Sequence, residues 1–376
     1  MANGNFGGGT GTENDPYLVE DAFDLDAVRN NLSAHYKLVN NIDLNVVPFN
    51  QGDGWVPIGS LSSRFKGTFN GSMYTIDNML IKGLKDYRGL FSVIEGSILN
   101  NVKLENTNIS GRDNIGGLVG ASYSSLISNV YINGKLNGTN NSTGGVTGIL
   151  QDNSRIENSM VNVDLKSTYR AGGITGSLNN SIIDNCLTTG SIEVVGRYGG
   201  GIVGTETLST IRNSLSLLYN ASSSSVRDIG GVVGYGGSQV INSFWDKEFT
   251  KITTSNGGLG LTTTQATSID TYIDVAWHNE QLDDGTKIWI LKDGEYPKLW
   301  FEAPPIVKKR LIKVDGSTHT HNGTNWINIG QLPSDPIEQK LLFEEHGMDD
   351  ITGEQIEQLK SMLPDKKFKV LSAKIY

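Results

Sequence analysis

The feature that most constrains this chain is a five-residue pattern, two glycines, two β-branched or aliphatic residues and a third glycine, that returns at nearly fixed steps. GGLVG starts at Gly116, GGVTG at Gly144, GGITG at Gly172, GGIVG at Gly200 and GGVVG at Gly230, steps of 28, 28, 28 and 30 residues. Glycine inside a strand costs conformational entropy and offers no side chain to pack. Its return at one phase therefore implies a structural demand repeated with the same period. RGLFS, at 88–92, lies 28 residues before the first full motif and reads as a degenerate copy.

A second landmark keeps the same phase: an asparagine preceded two residues earlier by an aliphatic side chain. The pairs are Leu99 and Asn101, Ile127 and Asn129, Ile156 and Asn158, Ile183 and Asn185, Ile211 and Asn213, Val240 and Asn242. Within the glycine motif the third place is always aliphatic (Leu118, Val146, Ile174, Ile202, Val232). The fourth is Val or Thr (Val119, Thr147, Thr175, Val203, Val233). This alternation predicts a short strand with the third place buried and the fourth outside, bounded by Gly, Asn and Ser corners. No 3.6-residue periodicity supports a helical repeat.

A repeat of this length with two or three strands predicts a mainly β chain: a parallel β-helix built from one chain, a solenoid of coils about 28 residues long. Coils stack about 4.8 Å apart, so six give a column of roughly 30 Å. A residue type needed at one corner is needed at that corner in every coil. Glycine there would permit positive φ or close backbone approach. The asparagines could form an amide ladder, either inward or at a bend.

The sequence from about 9 to 300 resembles the GLUG-motif β-helix repeat proteins found among bacterial surface proteins and phage tail proteins. GTGTENDPYLVEDAFDLDAVRNNL resembles the opening cap of that family, HYKLVNNIDLN and WVPIGS its first coils, and FKGTFNGSMYTIDNMLI the lead into its repeats. INSFWDKEFT, GGLGLTTTQ and DGEYPKLW resemble its closing segment. The resemblance implies adhesive, receptor-binding or structural work more often than catalysis, and it supplies no catalytic residues.

Three regions follow: cap and first coils over 1–84, repeats and exit coil over 85–301, and a small α+β unit over 302–376. In the first, Asp21 is expected to cap a short helix over 23–32 that closes the open end of the solenoid. EAPPIV reads as a linker. After it, RLIKV, STHTH and TNWINIG predict three strands joined by tight turns at Asp315-Gly316 and Asn322-Gly323. A helix capped by Ser334 with Pro336 in its first turn, a helix near 353–363 stopped by Pro364, and a last strand at 367–376 complete the unit. It resembles, more loosely, carboxy-terminal segments of tail proteins, which implies docking or assembly.

The 376 residues exceed one compact domain, which a solenoid tolerates. The net charge of −9, with Lys and Arg never massed, argues against nucleic acid as a partner. Cys186 is the only cysteine, so no disulfide framework exists. The opening MANGNFGGGTGTENDPYL shows no secretory signal pattern and no stretch approaches a membrane span, so synthesis in a cytoplasm without membrane insertion is expected.

Polysaccharide-cleaving β-helices need clustered carboxylates, or a carboxylate beside Arg or Lys. The charged places change from coil to coil, Asp113 being matched by Asn141 and Tyr169. Asp246 and Glu248 form a weak candidate pair. The corner before each glycine motif offers a better candidate, a binding edge of Tyr87, Arg112, Asp113, Tyr169, Arg170, Arg197, Tyr198, Arg227 and Asp228, suited to sugars or protein. Its competing reading is a solvated corner. His319 and His321 share a strand face and could meet copies of themselves in a three-fold assembly, though two exposed histidines suffice as an explanation. Cys186 is expected to be a small filler, and Trp245, Trp277, Trp289 and Trp300 to pack the exit.

The expected role is therefore a virion protein of a phage tail, baseplate or fibre, located in the virion. It would bind a host surface glycan or protein along the solenoid, and other tail proteins or copies of itself, as a trimer, through the last unit. A bacterial adhesin is the alternative and a polysaccharide-degrading enzyme less favoured. No enzyme activity, cofactor, metal or catalytic residue is expected.

Overall fold

The computed structural model describes residues 5–222, 227–237, 239–302, 307–322, 325–334, 336–348, 351–363 and 366–375. The chain forms two compact units, residues 1–299 and 300–376. The first is mainly β, a parallel β-solenoid of about six turns.

Coils pair in register. Leu126 to Ser128 lie opposite Leu99's strand on one side and Arg155 to Glu157 on the other, and Arg155–Gly172 pairs along nearly its whole length with Ile182–Gly200. A separate sheet stacks Phe91–Glu95, Val119–Tyr123, Thr147–Gln151, Thr175–Asn179, Val203–Thr207 and Val233–Tyr235. Between the sheets runs one apolar interior. Leu118, Val146, Ile174, Ile202 and Val232 form a file in it, as do Leu99, Ile127, Ile156, Ile183 and Ile211, all fully buried.

The glycine motif is a bend joining the two sheets rather than a strand. Its first glycine ends a two-residue strand, as at Ile115–Gly116, and its third lies in the next, as in Val119–Tyr123. That explains a departure from expectation: the fourth place is as buried as the third, Val119, Thr147, Thr175, Val203 and Val233 being wholly inaccessible. Where the chain bends, neighbouring side chains both turn inward. The Thr147 hydroxyl then donates to that of Thr175 at 3.0 Å, which satisfies a buried polar group.

None of the motif glycines has positive φ. All three are there for close approach. A Cβ on Gly173 would lie 2.2 Å from the carbonyl oxygen of Gly201, its counterpart one coil on. One on Gly172 would meet the Thr175 carbonyl at 2.0 Å, and one on Gly176 the Arg170 carbonyl at 2.5 Å. In exchange the bend keeps an unbroken ladder, with Gly145 N–H donating to Gly173 O and Ile174 N–H to Ile202 O, each at 2.9 Å.

Positive φ is carried by other residues, at three corners per coil. One file is Asn101, Asn129, Asn158, Asn185, Asn213 and Asn242, with φ between 45° and 54°. The asparagines thus sit at a bend, where their tolerance of the left-handed region selects them. Their amide ladder is partial. Asn101 donates to Asn70 and Asn129 to Asn101, but Asn185 accepts from the Trp289 indole at 3.1 Å and Asn213 donates to Glu280. At another corner, buried serines link coils: the N–H groups of Ser97, Ser125, Ser154 and Ser181 donate to Oγ of Ser125, Ser154, Ser181 and Ser209.

Both ends of the column are closed. Asp21 caps the helix Ala22–Ala27 by accepting from Phe23 and Asp24 N–H, and the rings of Phe6, Tyr17, Tyr36, Phe65 and Phe91 pack in succession beneath it. At the far end Thr254 and Ser255 bond Gly231, Val232 and Val233. The chain then returns along the outside. Trp277 and Trp289 stack at 4.3 Å, Phe244 packs against Tyr272 and Trp277, and Leu299 is fully buried. Trp245 instead enters the interior and donates to Ile252 O.

The second unit has a four-stranded antiparallel sheet ordered Trp326–Gln331, Ser317–His321, Val307–Val314, Phe368–Ile375, with helices Pro336–His346 and Gly353–Met362. Asp315 and Gly316, both at positive φ, make the first expected turn. Gly323, Pro304, Pro305 and Pro364 lie outside the described residues.

Candidate functional site

Eight of the nine residues of the expected binding edge fall on two adjacent files. Tyr169, Arg197 and Arg227 are register partners, and Asp113 lies in the same file, its carboxylate accepting from Asn141 N–H at 2.8 Å. The neighbouring file holds Tyr87, Asn114, Ser142, Arg170, Tyr198 and Asp228, all at positive φ. Arg112 stands one residue before and forms a two-pronged bond to Asp86. The side chain of Arg227 is outside the described residues.

Asn and Asp occupy this left-handed corner at little cost, whereas Tyr87, Ser142, Arg170 and Tyr198 are strained there by an amount on the order of 1 kcal/mol or more. The edge changes along its length accordingly. Near Tyr87 it is closed by ion pairs between Arg112, Asp86 and Asp113. Toward the exit it is open and aromatic. Tyr169 is 41% exposed with its ring over Gly196, and Tyr198 lies 4.9 Å from Tyr235, which is 56% exposed. The Arg197 guanidinium sits 5.3 Å over the Tyr198 ring and pairs with Asp228 at 3.1 Å. Tyr235 was not foreseen, because it stands after the glycine motif, where other coils carry Ser177 and Thr205.

Sequence reading also missed a charge cluster. Glu157, Asp184 and Arg212 are register partners, each directly preceding a corner asparagine. Asp184, 2% exposed, accepts from Arg155 at 2.8 Å and from Arg212 at 2.6 Å. Burial pushes the Glu157 carboxyl up despite Arg155. The common phase before asparagine was the available signal. With Asp184 gripped by two arginines, the cluster ties three coils together.

Asp246 and Glu248 do not form an open acid pair. Asp246 is fully buried, caps Lys247–Thr250 and accepts from the Tyr296 hydroxyl at 2.7 Å, while Glu248 accepts from Thr263 N–H. Cys186 occupies the file of Ser159, Ser214 and Ser243. Its N–H donates to Ser214 Oγ, and burial pushes its thiol far up, out of range for a nucleophile. His321 lies between Gln355 and Gln358, with its ring edge-on to Trp326. Among the described residues no group of three or more His, Cys, Asp or Glu is placed to hold a metal, and no helix is long and apolar enough to cross a membrane.

Residues 21–134 match the N-terminal region of the M26 IgA1-specific metallo-endopeptidases. An immunoglobulin A1 protease of Streptococcus sanguinis is 28% identical over 240 residues, 60% of this chain and 12% of that protein. A candidate glycine-rich membrane protein of Evansella cellulosilytica is 40% identical over 134 residues, 34% of this chain and 15% of that protein. A crystal structure of a candidate immunoglobulin A1 protease from Bacteroides ovatus shares the fold, with TM-score 0.62 and 21% identity over 80% of this chain and 98% of that one. The chain thus spans only 2 to 15% of the length of the curated relatives it matches. These relatives overturn the expected phage tail protein and its place in a virion, since they are bacterial proteins of protease and membrane type. The expectation of no enzyme activity is corrected too, because the matched family is one of metallo-endopeptidases. A glycine-rich β-solenoid serves several classes of protein, so the fold could not separate them.

Proposed function

We propose that this chain is the solenoid region of a bacterial surface or secreted protein of the IgA1-protease type, in which it holds a protein or glycoprotein substrate against its corner edge. The match of residues 21–134 to the N-terminal region of those peptidases carries the reading. The exposed Tyr169, Arg170, Arg197 and Tyr235, around the half-buried Tyr198, support it, because exposed Tyr and Arg on a rigid scaffold are what recognition sites are made of. The histidines and carboxylates described here do not assemble a metal-binding set, so no hydrolytic step is assigned to them.

The test uses the producing bacterium. Antibody against this chain is expected to label intact cells or the culture fluid, and cultures to cleave the heavy chain of immunoglobulin A1, more slowly when Tyr169, Tyr198 and Tyr235 are all alanine. Antigen confined to the cell interior, or cleavage unaffected by the triple change, would refute the proposal.

A further inference from the structure

At the exit end of the edge lies an open cleft of about 450 Å³, within the size range of small-molecule sites. Such sites are mostly apolar. This one is lined largely by polar groups, among them Asn220, Ser222, Asp228, Lys251, Thr254 and Asn256, so it suits a ligand dense in hydroxyls. Asp228 both lines the cleft and pairs with Arg197, which covers Tyr198, and Gly234 in the wall precedes Tyr235. Tyr235 therefore follows directly on a residue of the cleft wall.

Three features describe the ligand. The exposed ring of Tyr235, braced on the half-buried Tyr198, offers stacking surface for a flat or ring-shaped apolar face. Asn220 Oδ1 and Ser222 Oγ each accept a backbone N–H, which leaves the amide and hydroxyl hydrogens to donate outward. Lys251, exposed and at φ 60°, has no ion-pair partner among the described residues, whereas Arg197 and Asp228 neutralise one another. The cleft thus keeps one surplus cation on a chain of net charge −9, which disfavours polyanions but admits a single carboxylate.

We infer that this cleft binds an acidic saccharide, one sugar ring stacked on Tyr235 and its carboxylate paired with Lys251. This deepens the reading above by naming the ligand class. The test uses free saccharides, so its failure leaves the placement in a surface peptidase-type protein to its own cell-labelling test.

Calorimetric titration of the full chain with sialyllactose, trigalacturonate and lactose decides it. At least one acidic probe is expected to bind more tightly than lactose, Tyr235→Ala to weaken it roughly fivefold or more, and Lys251→Gln to abolish the preference for acid over neutral sugar. Tyr74→Ala, an exposed tyrosine outside the edge, leaves binding unchanged. Absence of binding by both acidic probes at millimolar concentration overturns the inference. So does unaltered affinity in Tyr235→Ala, or an undiminished acid preference in Lys251→Gln, in protein whose circular dichroism and melting match wild type.

Discussion

Consider Gly173→Ala, which adds one methyl group at the bend of a central coil. The new carbon would lie 2.2 Å from Gly201 O and 2.7 Å from both Thr188 Cγ2 and Leu218 Cδ1. The Gly201 oxygen already accepts from the buried Thr188 hydroxyl at 2.8 Å, and Gly173 O accepts from Gly145 N–H at 2.9 Å. Relief requires either the two coils to part or the Thr188 bond to break. Losing a buried hydrogen bond costs about 1–3 kcal/mol, and overpacking a close-packed interior about 1–3 kcal/mol more. A loss near 3 kcal/mol is expected, or roughly 5 °C in melting temperature for a unit of this size. Gly237→Ala is the control, since nothing lies within 4 Å of its Cβ position and its φ is not positive. Thermal melts by circular dichroism compare the two. If Gly173→Ala melts within a degree of wild type, close approach is not why the motif carries glycine.

Trp289→Ala removes the stack on Trp277 and the bond to Asn185, so a loss of about 3–5 kcal/mol and faster proteolysis within 269–299 are expected. Asp184→Ala leaves Arg155 and Arg212 without their shared carboxylate; removing one member of a buried ion pair costs about 3–5 kcal/mol, and the arginines' partial exposure lowers the expectation to about 2 kcal/mol, read by urea denaturation. Glu157 has its carboxyl raised by burial, so the folded state favours its protonated form. That contribution is present below the ordinary carboxyl range and lost as pH rises through the raised value, so Glu157→Gln is expected to raise the melting temperature at neutral pH and to match wild type in acid. Asp246→Ala removes the cap of Lys247–Thr250 and the Tyr296 bond, and a loss of about 1–2 kcal/mol with local loosening by hydrogen exchange is expected.

The coil length, the parallel stack and the files of Leu118 and Ile127 were legible because a solenoid writes each structural demand into every repeat. The end cap at Asp21 was legible for a different reason, its local capping chemistry. The burial of Thr147 and Thr175 was not, since period two describes a strand and the motif is a bend. The return of Trp277 and Trp289 along the outer face left no periodic trace; only the break in the asparagine ladder at Asn185 records it, and that break is visible only in three dimensions. The binding edge was half legible. Tyr198 and Asp228 share a phase, with Arg197 one place before, but Tyr235 has no counterpart in other coils. Bacterial against viral origin was not legible, because both use the same scaffold.

The central claim, that equivalent residues of successive coils lie directly above one another, is tested by spin-label distances along one outward file. Asn108, Lys135, Asp164, Ser191 and Tyr219 are successive register partners, and the buried Cys186 does not compete for label. Labels at Asn108 paired in turn with Asp164, Ser191 and Tyr219 are predicted to give distances growing by about 4.8 Å per coil, to roughly 19 Å for the longest pair. Separations that fail to grow with coil number, or that scatter as in an unstacked chain, would contradict the solenoid.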